Sequence, residues 1–469
     1  MIFSSNYPQN KKDLNQALGT SKSFDLICKD TMIGGKKACI FFVDGMTKDE
    51  ILQKLLSGFY AINPQDMPDT ADDFSTFQLP YIEVDIVKDI NQTITCILSG
   101  MTAILIDGYD RSICMDTRTY PARSVEQPEK EKVLRGSKDG FVETIVFNTA
   151  LIRRRIRDPH LTMEMLSVGS ISHTDVVLCY MEHLVDQNLL NYVRKRLCTL
   201  KTKSLTMNQT SLAERLYERK WYNPFPKYKY TERPDTSAAS IMEGNLVILV
   251  DNSPSAIILP TSLFGIMEEA DDYYLPPITG TYLRLTRFLI STITFFITPV
   301  FLLLTMYPEW IPQWLSFIQL QEYTNIPLMF QFLILEIAID GLRLAAVNTP
   351  SMLSTPLSII AGLALGEYAV SSGWFNAEAM LYMAFVALAN YTQPSYELGY
   401  ALKFFRIITV ILTGLLGIWG LAAGTGLLFF ALLTNHTLDG RRRYLYPLIP
   451  FDWKVLKRQL LRLRRDEDS

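Results

Sequence analysis

The sequence predicts an α/β (α+β) N-terminal region in two subdomains, followed by an all-α, multi-span membrane domain. Two observations predict it. The first is charge depletion. Between residues 281 and 433 the charged residues are only Arg284, Arg287, Glu309, Glu322, Glu336, Asp340, Arg343, Glu367, Glu378, Glu397, Lys403 and Arg406, whereas the whole chain carries 45 Lys+Arg and 48 Asp+Glu. Charge is expensive in hydrocarbon, so a depleted block of this length reads as lipid-embedded. The second is that, before this block, short apolar runs of strand and helix period alternate in a region of ordinary charge. The predicted divisions are a flexible N-terminus (1–23), subdomain 1 (24–135), subdomain 2 (136–280), a transmembrane domain (281–435) and a basic tail (436–469).

The elements follow in order. Residues 1–23 are polar and expected to be poorly ordered. Residues 37–43 (KACIFFV) form a strand, and 48–60 a helix with Ile51, Leu55 and Phe59 on one face. Residues 103–107 and 112–115 form a hairpin about Gly108-Tyr109-Asp110. The proline- and charge-rich stretch 121–138 is the internal boundary. An amphipathic helix at 139–157 stops at Asp158-Pro159. Strands at 161–168 and 175–180, a basic helix at 189–200, and strands at 245–250 and 255–259 complete the region, with no internal repeat apparent.

In the membrane block, 288–306 is an uncharged span. Residues 308–327 hold Trp310, Trp314 and Tyr323 without Lys or Arg, which suits the non-cytoplasmic interface. Segments 328–347, 351–370, 377–391 and 407–433 are further spans. The tail from 441 to 465 has nine Lys/Arg and one acid, Asp452, so it is cytoplasmic by the positive-inside rule. With the N-terminal region on the same side, full spans must be even in number: four, plus one exceptional segment, either 328–347 or 377–391. Residues 451–465 place Trp453, Leu456, Leu460 and Leu463 on one face of an interfacial helix against anionic lipid.

Composition excludes several functions. A net charge of −3 argues against nucleic acid as the main partner. The six cysteines (Cys28, Cys39, Cys96, Cys114, Cys179, Cys198) are scattered and form no CxxC, as for reduced thiols in a cytoplasmic compartment. No signal peptide opens the chain. Phosphate-loop, dinucleotide, zinc-protease and nucleophile-elbow motifs are missing, and His160, His173, His183 and His436 show no ligand spacing. No catalytic residue, metal site or cofactor is predicted. The run Arg153-Arg154-Arg155-Arg157 reads as the solvated side of a helix.

Ionisable residues in the membrane block carry more information. Glu336, Asp340 and Arg343, spaced by four and three, share a helix face that must turn toward protein or water, unless the helix is interfacial. Glu367 poses the same alternative. Ser351, Thr355, Ser358, Gly362 and Leu365 form a stripe that either packs helices closely or lines a pore, with Leu365 as constriction. Several copies of the chain would favour the pore.

Three stretches resemble the GerA family of spore germination proteins, in its A-type subunits: GSKDGFVETIVFNTALIRRRI (136–156), TERPDTSAASIMEGNLVILVDNSPSAIILP (231–260) and YLRLTRFL (282–289). The element Glu232-Arg233-Pro234-Asp235 is its family motif. VNTPSMLSTPLSIIAGLALGEYAV (347–370), PSYEL (394–398) and YPLIPFDW (446–453) resemble a branch distinct from the nutrient-receptor subunits, and this weighs against direct germinant binding. The resemblance implies a multi-pass protein of the spore inner membrane, with N-domain and tail on the core side. It implies a ring homo-oligomer, of five copies, that conducts ions during germination. Its partners would be membrane lipid, other germination proteins and a small membrane protein. The alternatives are a receptor A-type signalling subunit, a non-conducting scaffold, or a secondary transporter, although no inverted repeat supports the last.

Overall fold

The computed structural model describes residues 2–79, 81–118, 131, 133, 135–217, 222–321, 324–349, 359, 362–438 and 444–462, without the side chains of 363–365. The chain divides into two units, Met1–Arg219 with Tyr228–Pro260, and Lys220–Lys227 with Thr261–Ser469.

The first unit is built from two modules of the same plan. Module one runs α1 (Tyr7–Leu18), β1 (Leu26–Ile33), β2 (Lys36–Val43), α2 (Asp49–Tyr60), α3 (Ala71–Phe77), β3 (Val84–Val87), α4 (Ile90–Leu98), β4 (Thr102–Ile106) and β5 (Ser112–Met115). Module two runs α5 (Ile145–Arg155), β6 (Leu161–Val168), β7 (Thr174–Met181), α6 (Gln187–Thr199), α7 (Asn208–Leu216), β8 (Lys229–Thr231), α8 (Pro234–Met242), β9 (Leu246–Val250) and β10 (Ala256–Leu259). Both sheets are antiparallel, ordered β1-β2-β4-β5-β3 and β6-β7-β9-β10-β8. The registers also correspond. Ala38 faces Ile106 as Val176 faces Val250, and Val87 faces Ser112 as Thr231 faces Ala256. Helix α4 and strands β4 and β5 map onto α8, β9 and β10 by one constant offset of 144 residues. The expectation of no internal repeat is therefore corrected.

Each sheet is buried on both faces, which is why its strands read as continuous apolar runs. In module one, Phe41, Ala103, Leu105 and Cys114 pack under α1 and α4. Ile40, Ile104, Ile106 and Ile113 pack under α2 and α3. The N-terminus is not loose. Asn6 caps α1, Gly19 closes it at φ 70°, and Leu14 and Leu18 enter the core. The helix expected at 139–157 begins only at Ile145, because Asn148 folds back to bond both the N–H and the carbonyl of Val142. All six cysteines are free.

The basic run 153–157 is only partly a solvated face. Arg153 is wholly buried, and its guanidinium donates to Asp25 at 2.8 and 3.2 Å, to Ser23 Oγ at 3.2 Å, and to the carbonyls of Asp158 and Leu161. It thus ties the start of β1 to module two. Arg155 pairs with Asp139, while Arg154 and Arg157 are exposed.

The second unit is helical. Residues 261–280, assigned from sequence to subdomain 2, belong here, because α9 (Leu263–Ile266) and α10 (Asp271–Tyr274) pack on α11 (Pro277–Met306). Then come α12 (Leu328–Asn348), a π-helical turn at Leu363–Tyr368, α13 (Ala377–Asn390), α14 (Tyr396–Leu416), α15 (Ile418–Leu433) and α16 (Trp453–Leu460). Helices α11 and α14 are long and apolar enough to cross a membrane; α13 and α15 are apolar but shorter. The span expected at 407–433 is in fact two helices. Gly417, at φ 60° and ψ −133°, turns the chain through a conformation open to glycine. The hairpin closes tightly: a Cβ on Gly420 would lie 1.9 Å from the Leu412 carbonyl oxygen. Gly420→Ala is therefore expected to destabilise the helical unit by about 2–3 kcal/mol, read by unfolding in detergent, since backbone must move to admit the methyl.

Candidate functional site: a charge network in the helical unit

Helix α12 presents Glu336, Asp340 and Arg343 on one face, and α14 answers with Lys403 and Arg406. Arg406 Nε donates to Glu336 Oε1 at 2.9 Å, and its Nη1 to the Thr294 carbonyl of α11 at 3.3 Å. Lys403 bridges both acids, 3.1 Å from Glu336 and 2.6 Å from Asp340. Arg406, Lys403 and Glu336 are buried, and Asp340 is partly open. One carboxylate thus holds two cations and three helices. Sequence spacing found the α12 face but missed the partners. Their signal was present, since Lys403 and Arg406 are two cations three residues apart in an apolar helix and required buried acids.

Arg343 stands apart from these ion pairs. Its guanidinium lies against the rings of Tyr391, Tyr396 and Tyr400 at 5.5, 4.9 and 5.3 Å. Glu367 sits on the π-helical turn and is exposed, as is Gly362. Ser351, Thr355 and Ser358 fall outside the described residues, and so does the side chain of Leu365.

Two further polar clusters hold the helices. Gln331 and Asn376 bond reciprocally at 2.6 and 2.9 Å, joining α12 to the start of α13. Where α11 begins, Asp272 is fully buried between Arg284 and Arg287, at 3.3 and 3.1 Å. Arg287 also binds Glu269, whose carboxyl burial pushes up against the pull of that cation. Burial likewise raises the Tyr273 hydroxyl to about 12. The carbonyl of Gln459 in α16 accepts from Arg284 at 2.8 Å, so the tail helix is fastened to this junction. Its N-terminus is capped by Asp452.

The family motif has a structural task in the first unit. Arg233, buried, forks onto Asp235 at 3.1 and 2.6 Å and donates to the carbonyls of Glu131 and Ser137. The Glu131 carboxylate accepts from Thr231 Oγ1 and the Glu232 N–H, and its burial raises its pKa. Pro234 opens α8. The motif pins Glu131 and Ser137 to β8 and α8. Of the histidines, His160 and His183 meet edge to face at 5.2 Å across the β6–β7 hairpin, although they lie far apart in sequence.

The chain joins a two-module α/β unit to a helical unit in which two helices are long and apolar enough to cross a membrane, the pattern of a membrane-associated protein. The chain matches the family described as Bacillus/Clostridium GerA spore germination protein over residues 12–468, and it belongs to that family. It is 37% identical to Stage V sporulation protein AF of Bacillus subtilis, over 97% of this chain and 92% of that protein. It is 30% identical to Spore germination protein A1 of the same organism, over 76% and 74%. Among solved structures it is similar to the N-terminal domain of the A subunit of the Bacillus megaterium spore germinant receptor GerK3, with 24% identity, TM-score 0.42, and coverage of 55% of this chain and 96% of that one.

Proposed function

We propose that this chain is a membrane subunit of the spore germination machinery, and that several copies assemble around an ion-conducting path. The observation that carries the reading is the exposure of Glu367. Glu336, Asp340, Lys403 and Arg406, the four ion-paired groups of the network, neutralise one another between helices, yet Glu367 is exposed on an apolar helical unit. An exposed carboxylate at membrane depth must meet water or another copy rather than lipid. A ring of copies supplies both, and the reading adopts the ring of five implied by the family. The basic tail supports a tail on the core side, and the reading adopts the spore inner membrane implied by the family. A small membrane protein and other germination proteins complete the assembly.

The test is ion flux from liposomes holding purified protein, alongside its native mass. Wild type is expected to form an oligomer and to conduct well above empty vesicles. Glu367→Gln is expected to keep the oligomer and lower the preference for cations over anions, since it removes a fixed negative charge at the path. An oligomer that conducts no better than empty vesicles would leave a non-conducting scaffold, and a stable monomer would exclude the ring.

A further inference from the structure

We propose that the cavity beside Arg343 is a binding site for a phosphate oxyanion. The charge balance of the network points to it. Three cations, Arg343, Lys403 and Arg406, stand against two carboxylates, Glu336 and Asp340, which leaves one positive charge over. Glu336 engages Arg406 and Lys403, and Asp340 engages Lys403. Among the described residues Arg343 contacts no carboxylate; it has only tyrosine faces, whose attraction is not ionic. A partly buried guanidinium with no carboxylate partner favours an anion beside it.

The cavity itself narrows the choice. It measures about 20 Å³ and is lined by Asp340, Arg343, Asn390, Tyr391, Tyr400 and Lys403, among others. That volume admits one ligand oxygen rather than a whole metabolite. The residues that line it carry a guanidinium fork, an amide and tyrosine hydroxyls, with the Lys403 ammonium nearby, groups suited to a phosphate oxygen. Its position narrows it further. Arg343 lies in the last turns of α12, Tyr391 follows α13, and Tyr396 opens α14. Tyrosine and basic residues at helix ends mark headgroup depth in a bilayer. A cation is disfavoured there, since Lys403 already occupies Asp340 at 2.6 Å. The phosphate has two possible sources, an anionic lipid headgroup or free inorganic phosphate.

The inference rests on the membrane reading but not on conduction. The full chain is placed in nanodiscs of phosphatidylcholine, with or without phosphatidylglycerol, and retained lipid is counted by native mass spectrometry. Inorganic phosphate is titrated separately into the phosphatidylcholine sample and into detergent-free protein. Wild type is expected to retain phosphatidylglycerol selectively. Arg343→Gln should lose about tenfold in retention, the effect of one lost charge-assisted contact, whereas the exposed Arg154→Gln should lose none. Arg343→Lys, which keeps the charge without the fork, should fall between, and an unchanged assembly mass shows that the variants fold. Phosphate binding that depends on Arg343, without lipid selectivity, would assign the site to the free ion. Equal retention by wild type and Arg343→Gln, with no phosphate binding, would overturn the proposal. A chain that entered no nanodisc would sink the membrane reading and the headgroup source, leaving the phosphate titration to judge the site.

Discussion

Glu336→Ala is expected to cost about 3–5 kcal/mol of stability, the largest effect of any single substitution in the helical unit. The carboxylate is the only acid within reach of Arg406 among the described residues, and Arg406 is fully buried. Lys403 would keep Asp340, but Arg406 would keep just the Thr294 carbonyl at 3.3 Å. A buried guanidinium without a counter-charge is far worse than a missing contact, because its desolvation is no longer offset. The companion experiment separates the two terms. Glu336→Leu combined with Arg406→Leu removes the charge together with its partner, and should cost less than either alone. Unfolding in detergent, followed by helix content, measures all three. A loss below about 1 kcal/mol for Glu336→Ala would mean that water reaches Arg406 and that the network is not desolvated.

Arg153→Met is expected to be of similar size, about 3–5 kcal/mol, but in the first unit. Asp25 is 1% exposed and its carboxylate accepts from Arg153 through both oxygens. Ser23 Oγ and the carbonyls of Asp158 and Leu161 would lose a donor at the same time. Arg154→Met, one residue along and exposed, should change stability by no more than about 0.5 kcal/mol. Thermal unfolding of the full chain, with proteolysis to report opening between the modules, reads the difference. Equal effects of the two substitutions would contradict the burial of Arg153.

Much of this was legible in the sequence, and the failures have identifiable causes. Strands β2, β4, β5, β6, β7, β9 and β10 were found because both faces of each sheet are covered, so apolar runs are unbroken. Helix α1 was missed although its signals were present: Asn6, Pro8 and Gly19 are cap residues. The repeat was missed because it survives in few identities. Ile97–Asp107 (ILSGMTAILID) and Ile241–Asp251 (IMEGNLVILVD) share two isoleucines, a leucine, a glycine and an aspartate. The shared glycine has a backbone reason. Gly100 and Gly244 stand at φ 99° and 89°, and the following turns hold Gly108 at 90° and Asn252 at 59°.

Taken alone, the sequence determined the division into an α/β region and an apolar helical region, the common face of Glu336, Asp340 and Arg343, and the family. Those depend on composition, period and local pattern, which are properties of neighbouring residues. Only the tertiary structure decided that Arg153 is buried against a residue 128 positions away. It alone split the apolar run 407–433 at Gly417 and gave Glu336 its partners on α14. An ion pair between helices and a close glycine contact are set by which surfaces meet, and no periodicity along one helix records the face of another.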